Sequence, residues 1–226
     1  MFSFTIQEPP SQHLELKQVV YTQMPEHPKI RKIARLYANA FAELPWNEYE
    51  VCQNGHYFGR QLFDLTSCPR CASPLKKAHP EEETSEYIAK ELLKPEGTLV
   101  TFEDVHGEIF AAGWGYSCTT EELQAKYSSL EMRKKVVDRI MKTSQTVQKV
   151  FYLSEIMVDK AVQNRGITTK ITKKLSEKAE LLNLNFVIRT HGDSPMIRVA
   201  SKLQLSQVIG MGEDIDHPNR VLYMKT

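Results

Sequence analysis

The chain has 226 residues, 41% of them hydrophobic, and 29 Lys and Arg against 28 Asp and Glu, for a net charge of +1. That length and apolar content suit one elaborated domain over 1–226 better than two, and near-neutrality leaves no global field to gather nucleic acid or an anionic membrane. No run approaches the roughly 20 apolar residues a bilayer requires, and Met1–Pro10 lacks a basic stretch followed by an apolar core, so a cytoplasmic protein without a membrane partner is expected.

In chain order, Leu14 to Val20 predicts a first strand. Beyond Pro25 and Pro28, apolar Ile30, Ile33, Ala34, Tyr37, Ala38 and Phe41 recur at helical spacing, giving an amphipathic helix that ends near Pro45. Tyr49 to Pro74 holds a cluster of cysteines and a histidine, and polar Lys76 to Glu83 leads into a short helix around Glu86 to Leu93. β-Branched and aromatic residues on both sides of Asp104-Val-His-Gly107 predict a hairpin of 98–103 with 108–117. One long amphipathic helix is expected from Thr119 to about Val147, with Leu123, Tyr127, Leu130, Val137, Ile140 and Met141 turned inward. A strand over Phe151–Val158 follows, then a helix whose stripe is Ile167, Ile171, Leu175 and Leu182, and a strand over Asn185–Thr190. A shorter helix at Ile197–Leu205 and two strands near Gln207–Met211 and Val221–Met224 close a mixed α/β order with one strand-helix-strand crossover.

Cys52-x3-His56, then eleven residues, then Cys68-Pro-Arg-Cys71 supplies four nitrogen and sulfur donors in two close pairs. That is the number and softness tetrahedral zinc prefers, and clustered thiols suit metal ligation in a reducing compartment better than disulfides. With every position filled by protein, the metal is expected to stabilise an insert over 49–76 rather than to do chemistry. Arg60, Arg70, Lys76 and Lys77 are too few, at this overall charge, to argue for nucleic acid. Cys118 stands apart and reads as a small apolar filler; no base or acid arrangement around it marks a nucleophile.

Gln163-Asn-Arg-Gly166-Ile-Thr168 links the strand at Phe151–Val158 to the helix after it. A helix N-terminus has unpaired N–H groups and partial positive charge, so a glycine turn that exposes them takes phosphate oxygens. Arg165 and Lys170 either add charge there or are simply solvated. Glu155-Ile-Met-Val-Asp159 followed by Gln163-x-x-Gly166-x-Thr168 resembles the acetyl-CoA segment of the GNAT superfamily of N-acetyltransferases, and the resemblance runs through the element order, sharpest from Phe151 to Leu205. It implies a GNAT-like α/β fold, with a mixed, mostly antiparallel sheet flanked by helices and the zinc knuckle inserted. It also implies direct acetyl transfer from acetyl-CoA to a primary amine. Backbone groups of Met157 and Val158 would hold the pantetheine arm, and Gln163, Asn164, Arg165, Gly166, Ile167 and Thr168 the pyrophosphate. Two positions depart from the family: Thr168 replaces a small residue, and Ala200 stands where a tyrosine often protonates the leaving thiolate. Water or another hydroxyl, such as Tyr116, would have to take that role.

An alkylamine with a pKa of about 10.4 must lose a proton before it attacks, which requires a base. Glu155, beside the expected thioester, is the first candidate, with an ordinary ion-pair role as its alternative. The oxyanion would meet a strand N–H near Ile156. Trp46 and Glu48, at the end of the first helix, would line the acceptor pocket, Glu48 binding a cation and Trp46 stacking on it or merely packing. His191 and Asp193 read as turn and cap residues. The acceptor is a small-molecule or peptide amine, and a homodimer is left open. The rival reading is a noncatalytic acyl-CoA-binding or protein-interaction module built around a zinc ribbon.

Overall fold

The structure, a computed structural model, describes residues 14–60, 65–143, 148–214 and 217–225. The Met1–Pro10 reading and the end of the helix expected to reach Val147 lie outside them. Seven strands form the main sheet: β1 (Lys17–Tyr21), β5 (Thr98–Glu103), β6 (Ile109–Thr119), β7 (Lys149–Val158), β8 (Asn185–His191), β10 (Arg220–Lys225) and β9 (Ser206–Ile209), in that spatial order. Every pairing is antiparallel except β7 with β8. That one parallel pair is joined by the helix α5 (Ile167–Leu181), the crossover a parallel pair requires.

On one face, α5 and α6 (Met196–Lys202) pack on Phe151, Leu153, Phe186 and Ile188. The other face carries two separate groups of helices. Over β5, β6 and the end of β7 lie α1 (His27–Phe41) and α2 (Glu81–Leu92), with Ile33, Tyr37, Ile88, Trp114 and Met157 in their core. Against Tyr116, Val150, Val187 and Leu222 lie α3 (Thr120–Gln124) and α4 (Leu130–Thr143). A furrow between the two groups leaves the middle of this face open. Between α1 and α2, β2 (Glu50–Cys52), β3 (Tyr57–Phe58) and β4 (Leu75–Lys77) form a small sheet of their own, in the order β3-β2-β4. Among the described residues no helix is long and apolar enough to cross a membrane.

The single helix expected from Thr119 is instead two. Thr119 and Glu122 close a reciprocal capping box that starts α3, which ends at Ala125, and the Ser129 hydroxyl accepts from the Met132 N–H to start α4 afresh. The apolar spacing runs through the break, so periodicity hides it, whereas the Ser128-Ser129 pair is the local signal for a new N-cap. Helix α2 starts at Glu81, earlier than expected, with Glu81, Glu82 and Glu83 in a first turn where the helix dipole favours acids.

The register of β6 with β7 slips at one point: Trp114 pairs Glu155 but Gly115 pairs Leu153, so Ser154 is an extra residue in a bulge. A Cβ on Gly115 would lie 2.6 Å from Phe151 Cε1 and 2.7 Å from the Tyr152 carbonyl oxygen, so this crossing needs a glycine. We expect Gly115→Ala to lower unfolding free energy by roughly 1–3 kcal/mol through overpacking, measured by urea denaturation; an unchanged midpoint would mean that the strand shifts freely at this point.

Candidate functional site

Strands β7 and β8 pair only from Val150 with Asn185 to Leu153 with Ile188, yet both run on, β7 to Val158 and β8 to His191. Beyond that point they separate, and a cleft of about 800 Å³ opens between them and into the furrow on the helical face. The Asp159 N–H donates to the Phe110 carbonyl at 2.8 Å, which fixes the alternation along β7: Met157 and Glu155 turn their backbone groups to β6, while Ile156 and Val158 turn theirs to the gap. Gln163 Nε2, donating to the Val158 carbonyl at 3.3 Å, reaches it from that open side. Met157 is therefore placed differently from the expectation: its backbone serves the β6 ladder and its side chain packs under α1.

At the outer end of the cleft, the Asp159 carboxylate accepts from the Ala161 N–H at 2.8 Å and starts a short 3₁₀ turn over Lys160–Val162. Asn164 (φ 62°) and Gly166 (φ 73°) both take the left-handed conformation, which brings the chain into α5 with its first N–H groups facing the cleft. Gln163, Asn164, Gly166, Ile167 and Thr168 all line it, with Arg198 and Lys202 of α6 opposite. Arg165 points away, reaching the Leu14 carbonyl at 3.4 Å. Ala200 is fully buried in the α5–α6 core and does not face the cleft.

The bulge at Ser154 aims Glu155 into the inner half, under α1 and α2. Tyr87 of α2 donates its hydroxyl to Glu155 Oε1 at 3.2 Å, and Ser154 donates to Glu91 of the same helix. Burial drives the Glu155 carboxyl from its ordinary 4.5 up to about 8, against the opposing pull of the Tyr87 hydrogen bond and the Lys126 charge. Burial likewise raises Tyr87 and lowers Lys126. Tyr116, the reserve hydroxyl of the sequence reading, is buried and is not among the cleft walls.

Trp46 and Glu48 do line the cleft, but each is engaged by another residue of the protein. Glu48 Oε2 lies 3.0 Å from His79 Nε2, and the Arg220 guanidinium sits 4.4 Å above the Trp46 ring. His191 packs edge-on against the other side of that region, 5.9 Å from Trp46, and accepts from the Asp193 N–H at 3.2 Å as a turn residue. Tyr87, Lys126, Arg189 and Arg220 were not singled out as site residues from sequence, because they come from four separate elements and only the fold brings them together.

The four metal-type donors also converge. Cys52 Sγ is 3.5 Å and Cys68 Sγ 3.4 Å from His56 Nδ1, Cys52 Sγ is 3.7 Å from Cys71 Sγ, and all four donor atoms lie within 4.8 Å of one another. Tetrahedral zinc with bonds of about 2.3 Å to sulfur and about 2.0 Å to nitrogen needs S–S edges of about 3.8 Å and S–N edges of about 3.5 Å. The Cys52–His56, Cys68–His56 and Cys52–Cys71 edges match those lengths. Two backbone turns hold it: the Gly55 N–H donates to the Cys52 carbonyl at 2.9 Å, and the Ala72 N–H to the Cys68 carbonyl at 2.8 Å.

The overall architecture is shared with known enzymes. Solved structures of similar architecture include an agmatine N-acetyltransferase variant, with a TM-score of 0.53 at 10% identity over 92% of this chain and 98% of that one. A mosquito arylalkylamine N-acetyltransferase-like protein gives 0.52 at 10% over 92% and 99%. A GNAT superfamily phosphinothricin acetyltransferase from Sinorhizobium meliloti, in complex with AcCoA, gives 0.50 at 10% over 92% and 87%. The chain has the GNAT acetyltransferase fold. No family model matches the sequence, and no curated protein matches it. The GNAT architecture is thus carried here by a sequence that shares about one residue in ten with these structures.

The raised Glu155 carboxyl has a sign that can be measured. Its folded value lies above its unfolded one, so the folded state holds the proton more tightly: the stabilising contribution is full below about 4.5 and is lost as pH rises through about 8. Relative to Glu155→Gln, the native protein should lose stability between pH 5 and pH 8.5 in urea titrations. A difference that does not change with pH would show a carboxyl with ordinary acidity.

Proposed function

We propose that the protein is an N-acetyltransferase that moves acetyl from acetyl-CoA directly to a primary amine, with Glu155 as the base. The observation that carries this reading is the conjunction at β7: backbone of Ile156 and Val158 turned to the gap, with only the Gln163 amide on the Val158 carbonyl, a helix N-terminus at one end and a desolvated acid at the other. The amide-bearing pantetheine arm would add to the edge of β7 as a strand does, through Ile156 and Val158, and the pyrophosphate would rest on the N–H groups of Gly166, Ile167 and Thr168. That places the thioester near the bulge, where Glu155 takes the proton of the attacking amine. A carboxyl pushed to about 8 suits that role, because once ionised it is a far better proton acceptor than an ordinary carboxylate.

The departing CoA thiolate resembles a cysteine thiolate of pKa about 8.5, so it can leave with water as its proton donor, and Ala200 need supply none. The relatives of similar fold that act on agmatine, arylalkylamines and phosphinothricin support an amine acceptor for this chain as well. We assign Cys52, His56, Cys68 and Cys71 to one structural zinc, which would lock β2, β3 and β4 into a rigid unit.

Glu155→Gln should lower kcat by roughly 100- to 10,000-fold while calorimetric titration shows acetyl-CoA affinity little changed; undiminished turnover would remove Glu155 as the base. In the same titration Gly166→Val should abolish cofactor binding, because a β-branched residue does not hold φ 73°. Elemental analysis should find about one zinc per chain, lost with a fall in Tm in Cys68→Ser. A metal-free protein of unchanged Tm would refute the zinc assignment.

A further inference from the structure

The inner half of the cleft is rich in cations, and among the described residues two of them lie in no ion pair. Lys126, after α3, holds its ammonium 4.6 Å from the Tyr152 ring centroid, and Arg220, on β10, covers Trp46 at 4.4 Å; among the described residues neither has a carboxylate partner. Arg189, on β8, gives one nitrogen to Asp214 at 3.1 Å, yet its buried Nε has no acceptor. All three line the same space as Glu155. Their positions follow from the register: Tyr152 is opposite Val187 on the α3–α4 face, so Arg189 and His191 project from that face too, and Arg220 is the partner of His191 on β10.

The acidic groups of the cleft are already engaged. Glu48 is held by His79, Glu91 by Lys94 and Ser154, and the π face of Trp46, which an ammonium acceptor would need, is covered by Arg220. Nor do these cations belong to the cofactor phosphates. Tyr152, beneath Lys126, lies six residues before Val158, about 20 Å along an extended strand, while Arg189 and Arg220 stand across the splay. The turn has its own cations across the cleft in Arg198 and Lys202. A desolvated guanidinium without a partner is costly, and a planar carboxylate is the group its donor fork fits best.

We propose that the acceptor carries a carboxylate beside its amine, as an amino acid does, and that Arg220, Arg189 and Lys126 receive it while the amine faces Glu155. This rests on the acetyltransferase reading and adds to it a substrate class that a dicationic amine such as agmatine does not meet. Lys126 and Arg220 come to the anion from separate elements, the segment after α3 and β10, and so fix which end of the acceptor meets the thioester.

The test compares amino acids with the same molecules lacking the carboxylate: phenylalanine with phenethylamine, histidine with histamine, leucine with isoamylamine, arginine with agmatine. In the intact protein, kcat/KM for at least one amino acid should exceed that of its decarboxylated amine by roughly 10- to 100-fold, the range for one charge-assisted pair. In Arg220→Gln that ratio should collapse, and Arg220→Lys should restore part of it; Lys126→Met, which leaves the β10 packing untouched, is the second variant should Arg220→Gln fail to fold. Preference for the decarboxylated amines throughout, or a ratio indifferent to both substitutions, overturns the proposal. Calorimetry on the CoA-loaded protein with the products, N-acetylphenylalanine against N-acetylphenethylamine and their three counterparts, gives a readout without chemistry. If the carboxylated products bind at least tenfold tighter while no amine is acetylated, the anion subsite stands and the acetyltransferase reading falls; if neither form of any pair binds or reacts, the subsite falls.

Discussion

Two parallel strands that stop pairing halfway along their length set the terms for everything else in this molecule. Backbone N–H and C=O groups of a central strand must be satisfied, and β7 past Leu153 has lost its neighbour on one side. An edge strand at the rim of a sheet can turn to bulk water; here the exposed edge lies inside the protein, walled by α5, α6 and the first helix. Such an edge can pair with an extended amide-bearing chain, as a sheet edge pairs with an added strand. The helix that makes the crossover necessarily begins where β7 ends, so the same connectivity that opens the gap also points a helix N-terminus at its mouth.

The bulge at Ser154 is the second consequence of breaking regularity at this place. If the strand alternated regularly through Ser154, Glu155 would share the face of Leu153 and drive a carboxyl into the apolar α5 core; with the bulge, the side chain is delivered under α1 and α2 beside Tyr87. There it is desolvated but reachable, which is the condition that lifts its pKa toward 8. The cost is a folded state that becomes less stable as this carboxyl ionises, a trade expected where a side chain is placed for chemistry rather than for packing.

The local features of this design were readable before any fold was known. The turn at Gly166, the hairpin around Gly107, the crossover and the Cys52, His56, Cys68, Cys71 set all depend on residues close in sequence, or on spacing alone, and the structure forms each of them. Features that depend on register were not. Nothing in the run Leu153-Ser-Glu155 announces a bulge, and a one-residue slip changes which backbone groups face the gap, which is why Met157 was grouped with Val158 for the pantetheine arm. Convergence from distant elements was equally hidden: Tyr87, Lys126, Arg189 and Arg220 each look like an ordinary half-buried surface residue until β8 and β10 are laid beside β7. The capping pair at Ser128-Ser129 was legible in principle, and an uninterrupted apolar period outweighed it.

The small three-stranded unit is tied to this cleft at its base, not hung from the surface. Glu48 comes immediately before its first residues and His79 immediately after its last strand, and the two meet at 3.0 Å across the stem, while the Ala78 N–H donates to the Tyr49 carbonyl at 3.0 Å beside them. Arg60 clasps α1 through Asn39 at 2.6 Å. With so few residues and so small an apolar core, Cys52, Phe58 and Cys68 at its centre, the unit has little to hold it together other than its donor set. A metal there would do more than preserve a loop. By fixing the distance between the two ends of the stem, it would hold Glu48 on His79. With Trp46 beneath Arg220 beside it, the charge pattern of this wall of the cleft would then depend on a closed set of protein ligands.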